Sequence, residues 1–419
     1  MVAESSSTPP APLRDREAAL ERAAELDAAD PLATFRDRFV ADDPDVVYLD
    51  GNSLGRLPRA TAERLRTVVA DEWGGELIRG WDHWIEEPLR VGDRLAGIVG
   101  ARPGEVIVSD STTVNFYKLA HAALEARPGR RFVITDRENF PTDRYVLEGL
   151  ARARDLEIAW LVPDPVNGPT TDGVAEALAG HPGQVALVTL SHVNYRSAAI
   201  ADMAAITALA HDAGALVAWD LCHSAGAIEV DLEGAEADLA VGCTYKFLNG
   251  GPGAPAFLYV REALQGGLRN PIQGWFGQRD QFAMAQGYDP APGIVQWLTG
   301  TPGMLALAAV EEGVRLSAEA GMASIRAKGI ALTSFAIELT DARLAEHGCS
   351  VGSPRDPARR GAHVAIRHPE ARRLTRELIA RKVIPDFREP DTIRFGLSPL
   401  TTSFRDVSRG IEAIRLLLT

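Results

Sequence analysis

The chain has 419 residues, 46% of them hydrophobic and 24% charged, with a formal net charge of −13. That length exceeds what one core serves and implies about two or three domains. The negative field opposes nucleic acid and anionic membrane, and basic pairs such as Arg359-Arg360 and Arg372-Arg373 are too short to reverse it. Three cysteines without C-x-x-C spacing argue against a disulfide framework and a zinc site, and fit a reducing cytoplasm. No apolar run approaches the roughly 20 residues that span a bilayer.

Residues 1–12 are rich in Ser, Pro and Ala, lack a basic or apolar signal region, and read as a disordered tail. Residues 13–39 mix Leu, Ala and charge at helical spacing. A short strand at 46–49 runs into the turn Asp50-Gly51-Asn52-Ser53-Leu54-Gly55. After Pro58 the spacing predicts a helix with Leu65, Val68, Val69 and Trp73 on one face. From about residue 105, short apolar strands alternate with helices: 106–108, 132–134, 158–161, 185–190, 215–219, 239–241 and 256–260. That alternation predicts an α/β fold with a mostly parallel sheet covered on both faces. A long helix at 302–320 leads to a further helix, a strand at 363–367, a helix at 370–381 and strands near 384–388 and 392–397. This last part reads as a small α+β domain. The division expected is 13–65 as a segment packing with the small domain, 66–310 as the large domain and 311–419 as the small one.

Two residues carry the chemistry. Asp220 ends an apolar strand, within Trp219-Asp220-Leu221-Cys222-His223. Lys246 stands at a strand-to-loop junction, within Thr244-Tyr245-Lys246-Phe247-Leu248-Asn249-Gly250-Gly251. A buried acid and a buried amine at one sheet edge suit pyridoxal 5'-phosphate. The amine forms a Schiff base with the aldehyde, and the carboxylate keeps the pyridine nitrogen protonated, making the ring an electron sink. Ligands of such sheets sit beyond the carboxyl ends of the strands, where both residues fall. Three polar clusters lie at the same edge. Ser111-Thr112-Thr113 opens a helix and offers amides and hydroxyls to a phosphate, although by itself it is an ordinary helix cap. Asn139-Phe140-Pro141-Thr142-Asp143 brings an aromatic ring, and Ser191-His192-Val193-Asn194-Tyr195 follows another strand.

Together these segments resemble the kynureninase family of fold type I pyridoxal phosphate enzymes. The matching stretches are Leu49 to Gly55, Thr113-Val114-Asn115, Phe140-Pro141-Thr142-Asp143, Trp219 to His223, Gly242 to Gly253, Gly274-Trp275-Phe276-Gly277, Gly300-Thr301-Pro302 and Ile393-Arg394-Phe395-Gly396. They run in order from about residue 48 to 400. The resemblance implies hydrolysis of L-kynurenine or 3-hydroxy-L-kynurenine to an anthranilate and L-alanine, a step of tryptophan catabolism that also feeds NAD biosynthesis. It implies Lys246, Tyr245 and Asp220 as the catalytic set. It implies cofactor contacts from Thr112, Thr113, Phe140, Asp143, Ser191 and His223. Trp275 and Thr301 would reach the partner's cofactor across a homodimer. Arg394 would clamp the substrate α-carboxylate, with Asn52, Ser53 and His83 near the aromatic end.

Four other readings compete. A cofactor fold turned binding module would have lost Lys246 or Asp220, and both are present. A cysteine desulfurase or selenocysteine lyase shares the fold, but it needs an activated late cysteine, and only Cys349 lies late in the chain. An aminotransferase gives no reason for the Asn52-Ser53 turn. Gly51-Asn52-Ser53-Leu54-Gly55 also fits G-x-S-x-G, yet Arg56-Leu57-Pro58 stands where a hydrolase elbow needs a helix to start at the serine.

Overall fold

The computed structural model describes residues 11–419, so most of the expected tail lies outside it, and Ala11–Arg14 forms a short 3-10 turn. The strands in chain order are β1 (Val47–Tyr48), β2 (Val106–Val108), β3 (Phe132–Asp136), β4 (Glu157–Leu161), β5 (Val185–Ser191), β6 (Leu216–Asp220) and β7 (Leu239–Gly242). They continue with β8 (Phe257–Val260), β9 (Ser350–Val351), β10 (His363–Arg367), β11 (Val383–Ile384), β12 (Asp386–Arg388) and β13 (Thr392–Gly396).

Seven strands form one sheet in the order β2-β8-β7-β6-β5-β3-β4, and β8 alone runs against its neighbours. The sheet is buried on both faces because its side chains alternate between two cores. Val217 and Trp219 of β6 join one cluster, with Val188, Leu190 and Ala240. Leu216 and Ala218 join the other, with Leu187, Leu239 and Val241. Such strands read as continuous apolar runs for this reason. Crossovers through helices put every parallel strand's carboxyl end on one edge.

A second sheet, β12-β13-β10-β9, is antiparallel. Its core includes Leu332, Phe395 and Ile411, and also Leu13, Ala19, Ala23, Val47 and Leu49 from the start of the chain. Pairing of β1 with β11, Val47 opposite Val383, fixes that attachment. The helices Met304–Ala320 and Met322–Arg343 follow one another and lead from the large sheet into this part.

Two expectations need correction. The helical stretch at 13–39 is broken into Arg16–Ala28 and the 3-10 segment Ala33–Arg38, because Pro31 cannot continue a helix. Asp30 receives the Leu32 amide at 2.9 Å in the break. The helix after Pro58 ends at Thr67 and continues in π-helical turns, Val68–Glu76. Val68 is buried there, but Val69 and Trp73 are 46% and 58% exposed, so the apolar face meets solvent.

Asp136, buried at the end of β3, accepts the Glu138 amide at 2.8 Å. Burial pushes its carboxyl up to about 6. An acid whose folded pKa is raised holds its proton longer than the unfolded chain does. Stability is therefore lost as pH climbs from about 4 to about 6. Asp136→Asn keeps an acceptor and has no charge to form. The variant is expected to gain about 3 kcal/mol on the wild type between pH 4 and pH 8, read from urea midpoints at both pH values.

Candidate active site

The helix Thr112–Glu125 begins just beyond β2. Ser111 is its cap and accepts the Val114 amide at 3.3 Å, which leaves the Thr112 and Thr113 amides and hydroxyls at the helix start. The loop before it is held open under strain: Asp110 has φ of 49°, a conformation costly for a side-chain-bearing residue. Buried Lys118 reaches back from the helix to Asp110 at 2.8 Å, and Thr299 adds a hydrogen bond to the same carboxylate at 3.0 Å.

At the ends of β5 and β6, the Ser191 hydroxyl stands 2.7 Å from Asn139 Oδ1 and 3.3 Å from Asp220 Oδ2. The other Asp220 oxygen accepts the Cys222 amide at 2.7 Å. Both contacts fix the carboxylate at the sheet edge. Asp143 is buried close by, and one of its oxygens has no partner. Burial, then the charge of Asp220, pushes the Asp143 carboxyl well above the usual range.

Lys246 is 8% exposed and its Nζ lies 3.0 Å from His223 Nε2. Burial, then the Lys246 charge, holds His223 well below its ordinary pKa, so the ring is neutral and accepts from the amine. The lysine amine also lies 5.7 Å above the Phe140 ring, which packs edge-on against Tyr195 at 5.4 Å. Burial, then Cys243, raises the Tyr245 phenol, which keeps its proton throughout the neutral range.

The backbone here is gripped by the early turn. The Gly55 amide donates to the Tyr245 carbonyl at 2.8 Å. A Cβ at Gly55 would stand 2.4 Å from the Lys246 carbonyl oxygen, so only glycine allows this approach.

Thr112, Thr113, Phe140, Asp143, Asp220, His223, Tyr245 and Lys246 thus line one cleft with Thr142, Tyr195 and Cys222. Ser191 stands behind Asp220. Arg394 is 1% exposed and donates to the Tyr195 carbonyl, which joins the small sheet to the cleft wall. Its guanidinium pairs with Asp386 and donates to Ser53 Oγ at 3.2 Å. With its amide oxygen turned toward Arg394, Asn52 accepts from Nε at 2.8 Å. Asn52 and Ser53 therefore contact Arg394, and these three residues stand behind Tyr195, outside the cleft lining itself. His83 pairs with Glu76 at 2.9 Å, exposed, and does not line the cleft. Trp275 and Thr301 are also exposed and lie outside its lining.

Sequence reasoning did not single out Asn139, Tyr195 or Cys222 as site residues, nor Lys118, Asp386 and Arg388. Asn139, Tyr195 and Cys222 lie inside segments already quoted. Asp386 and Arg388 alternate on a strand that precedes Arg394, a weak signal until the register is known.

The donor set fits pyridoxal phosphate. Helix-start amides and threonine hydroxyls suit the phosphate. The orphaned Asp143 oxygen and the unpaired His223 Nδ1 suit polar ring substituents. Asp220 suits the ring nitrogen and Lys246 the aldehyde. Fold and site together define a fold type I pyridoxal phosphate enzyme. A model of the kynureninase C-terminal domain matches residues 325–414. Kynureninase from Pseudomonas fluorescens is 44% identical over 395 residues, 93% of each chain. That of Burkholderia pseudomallei is 44% identical over 406 residues, 95% of each chain. The chain belongs to the kynureninase family. Among solved structures, cysteine desulfurase CsdA of Escherichia coli aligns with TM-score 0.79 at 17% identity, over 92% of this chain and 98% of that one. The cysteine desulfurase of Thermococcus onnurineus aligns with TM-score 0.77 at 18% identity, over 89% and 95%. These likenesses carry the fold alone.

Replacing Lys246 by Ala is expected to abolish the visible absorbance of lysine-bound cofactor while leaving far-ultraviolet circular dichroism intact. An unchanged visible spectrum on adding pyridoxal phosphate would remove Lys246 from its role.

Proposed function

We propose that this chain hydrolyses the β–γ carbon bond of L-kynurenine or 3-hydroxy-L-kynurenine, releasing the anthranilate and L-alanine. The observation that carries the reading is the meeting of two groups at one cleft. Lys246 and Asp220 stand at the large-sheet edge, and Arg394 reaches the same wall from the small sheet through Tyr195.

When bound, pyridoxal phosphate supplies an electron sink for negative charge at the substrate α-carbon. Thr112 and Thr113 hold the phosphate at the helix start, with the Tyr245 hydroxyl as a further contact. Phe140 would lie against the cofactor ring, and Asp220, braced by Ser191, would hold the ring-nitrogen proton. Asp143 and His223 serve the remaining cofactor contacts. Lys246 would hold the cofactor aldehyde and would move the substrate α-proton. Neutral His223 accepts a hydrogen bond from the Lys246 amine without competing for positive charge. Tyr245 keeps its proton and is the acid for the β-carbon. Arg394 binds the α-carboxylate, and Asn52 and Ser53 orient the guanidinium.

The active form proposed is a homodimer in the cytoplasm. Val69, Trp73, Leu77 and Ile78 are exposed within one short stretch of chain, and exposed Trp275 packs edge-on against exposed Phe282, which supports a covered face there. Trp275 and Thr301 then serve the partner's cofactor, and His83 reaches a site only in that setting. No helix among the described residues is long and apolar enough to cross a membrane, and none of their acidic, histidine or cysteine groups forms a three-ligand metal cluster. The division into 66–310 and 311–419, with 13–65 joined to the latter, is supported by the core that Leu13, Ala23 and Val47 share with Phe395 and Ile411.

The decisive experiment is kcat/KM for L-kynurenine and 3-hydroxy-L-kynurenine on cofactor-loaded protein, followed by anthranilate fluorescence. Turnover of either supports the reading, and the ratio assigns the ring preference. No turnover with cofactor bound moves the activity to a desulfurase or aminotransferase on this fold. Arg394→Lys loses the planar fork and is expected to raise KM about tenfold or more with little change in kcat. An unaltered KM would take Arg394 out of the site.

A further inference from the structure

Arg394 does not stand alone at the arginine end of the cleft. The antiparallel register sets Asp386 of β12 directly opposite Arg394 of β13, so both side chains leave the same face of the small sheet. The Asp386 carboxylate pairs with Arg394 Nη2, accepts from Arg388 at 2.8 Å and takes the Ser53 hydroxyl at 3.2 Å. Ser53 in turn accepts from Arg394 at 3.2 Å. Arginine, serine and aspartate therefore close a ring of hydrogen bonds.

The ring accounts for one edge of the guanidinium. Nη2 serves Asp386 and Ser53, Nε serves Asn52, and one Nη1 hydrogen serves the Tyr195 carbonyl. A guanidinium has five N–H donors. Among the described residues the second Nη1 hydrogen has no acceptor, and its direction is set by the other four. A buried guanidinium without a counter-charge is also costly to hold. Burial pulls Arg394 down to about 10, against the opposing pull of Asp386.

We propose that Asp386 is the positioning residue of the substrate-carboxylate clamp: its ring with Arg394 and Ser53 fixes which guanidinium edge meets the α-carboxylate. This rests on the reading of Arg394 as that clamp. Asp386 does not itself touch the reacting atoms, so it governs binding and leaves the chemical step alone.

The test is Asp386→Asn on cofactor-loaded protein, with Ser53→Ala as a second variant that breaks the ring without removing a charge. KM for the turned-over kynurenine is expected to rise about tenfold in Asp386→Asn and less in Ser53→Ala, with kcat within about twofold. The dissociation constant of L-alanine, read from the cofactor spectrum, rises in parallel, since alanine carries the carboxylate but no aryl group. Asp386→Glu restores the charge and recovers part of the loss. An unchanged KM and alanine affinity in Asp386→Asn, or a fall in kcat at constant KM, overturns the proposal. If Asp386→Asn does not fold, an unchanged KM in Ser53→Ala overturns it. If Arg394→Lys raises KM and Asp386→Asn does not, the clamp stands without its positioner. If the wild type neither turns over a kynurenine nor responds to alanine, the functional reading fails.

Discussion

The turn Asp50–Gly55 is the constraint on which the site depends, because it touches both halves of the cleft at once. On one side the Gly55 amide binds the Tyr245 carbonyl and lies against the Lys246 backbone. On the other, Gly51 donates to the Gly396 carbonyl at 3.2 Å, and Gly396 returns a bond to Leu49. Between these anchors Asn52 and Ser53 face Arg394. A Cβ at Gly396 would overlap the Asn52 side chain, so the small sheet must present glycine there. The position of the lysine relative to the arginine is thus set by a few backbone contacts between segments far apart in sequence.

Charge is arranged around that frame in a consistent order. Asp220 is pinned by an amide and a hydroxyl, while the Asp143 carboxyl beside it is pushed up by burial and by Asp220 itself. His223 is kept neutral beside Lys246. At the other end Arg394 has its counter-charge in Asp386, with Arg388 balancing that acid in turn. Asp220 and Arg394 each have hydrogen-bond partners at hand, which low-dielectric surroundings demand of a buried charge.

The helix-start end of the cleft shows the same economy of support. Asp110 adopts a strained backbone at the start of the loop, and Lys118 and Thr299 hold it there. A loop kept in one conformation before its ligand arrives loses less freedom on binding.

How much of this was legible beforehand follows from what each signal needs. The six strands of the large sheet other than β4 were readable because both faces are buried, and a continuous apolar run then needs no register to recognise it. Asp220 and Lys246 were readable because a polar residue at the end of such a run falls at a predictable edge. Thr112, Thr113 and Phe140 were readable by the same rule, supported by the family resemblance. The break at Pro31 carried a local signal that the helical spacing masked. The exposure of Trp73 carried none, since an amphipathic pattern says which side is apolar and not what covers it. Nor did the sequence say that Asn52 and Ser53 meet Arg394, or that Asp386 stands opposite it. Those contacts join residues more than 300 positions apart or depend on one antiparallel register. Local spacing determined the elements and the edge where the chemistry lies. Only the tertiary structure decided which distant side chains share a charge, because that is fixed by packing between chain segments and not by order along one.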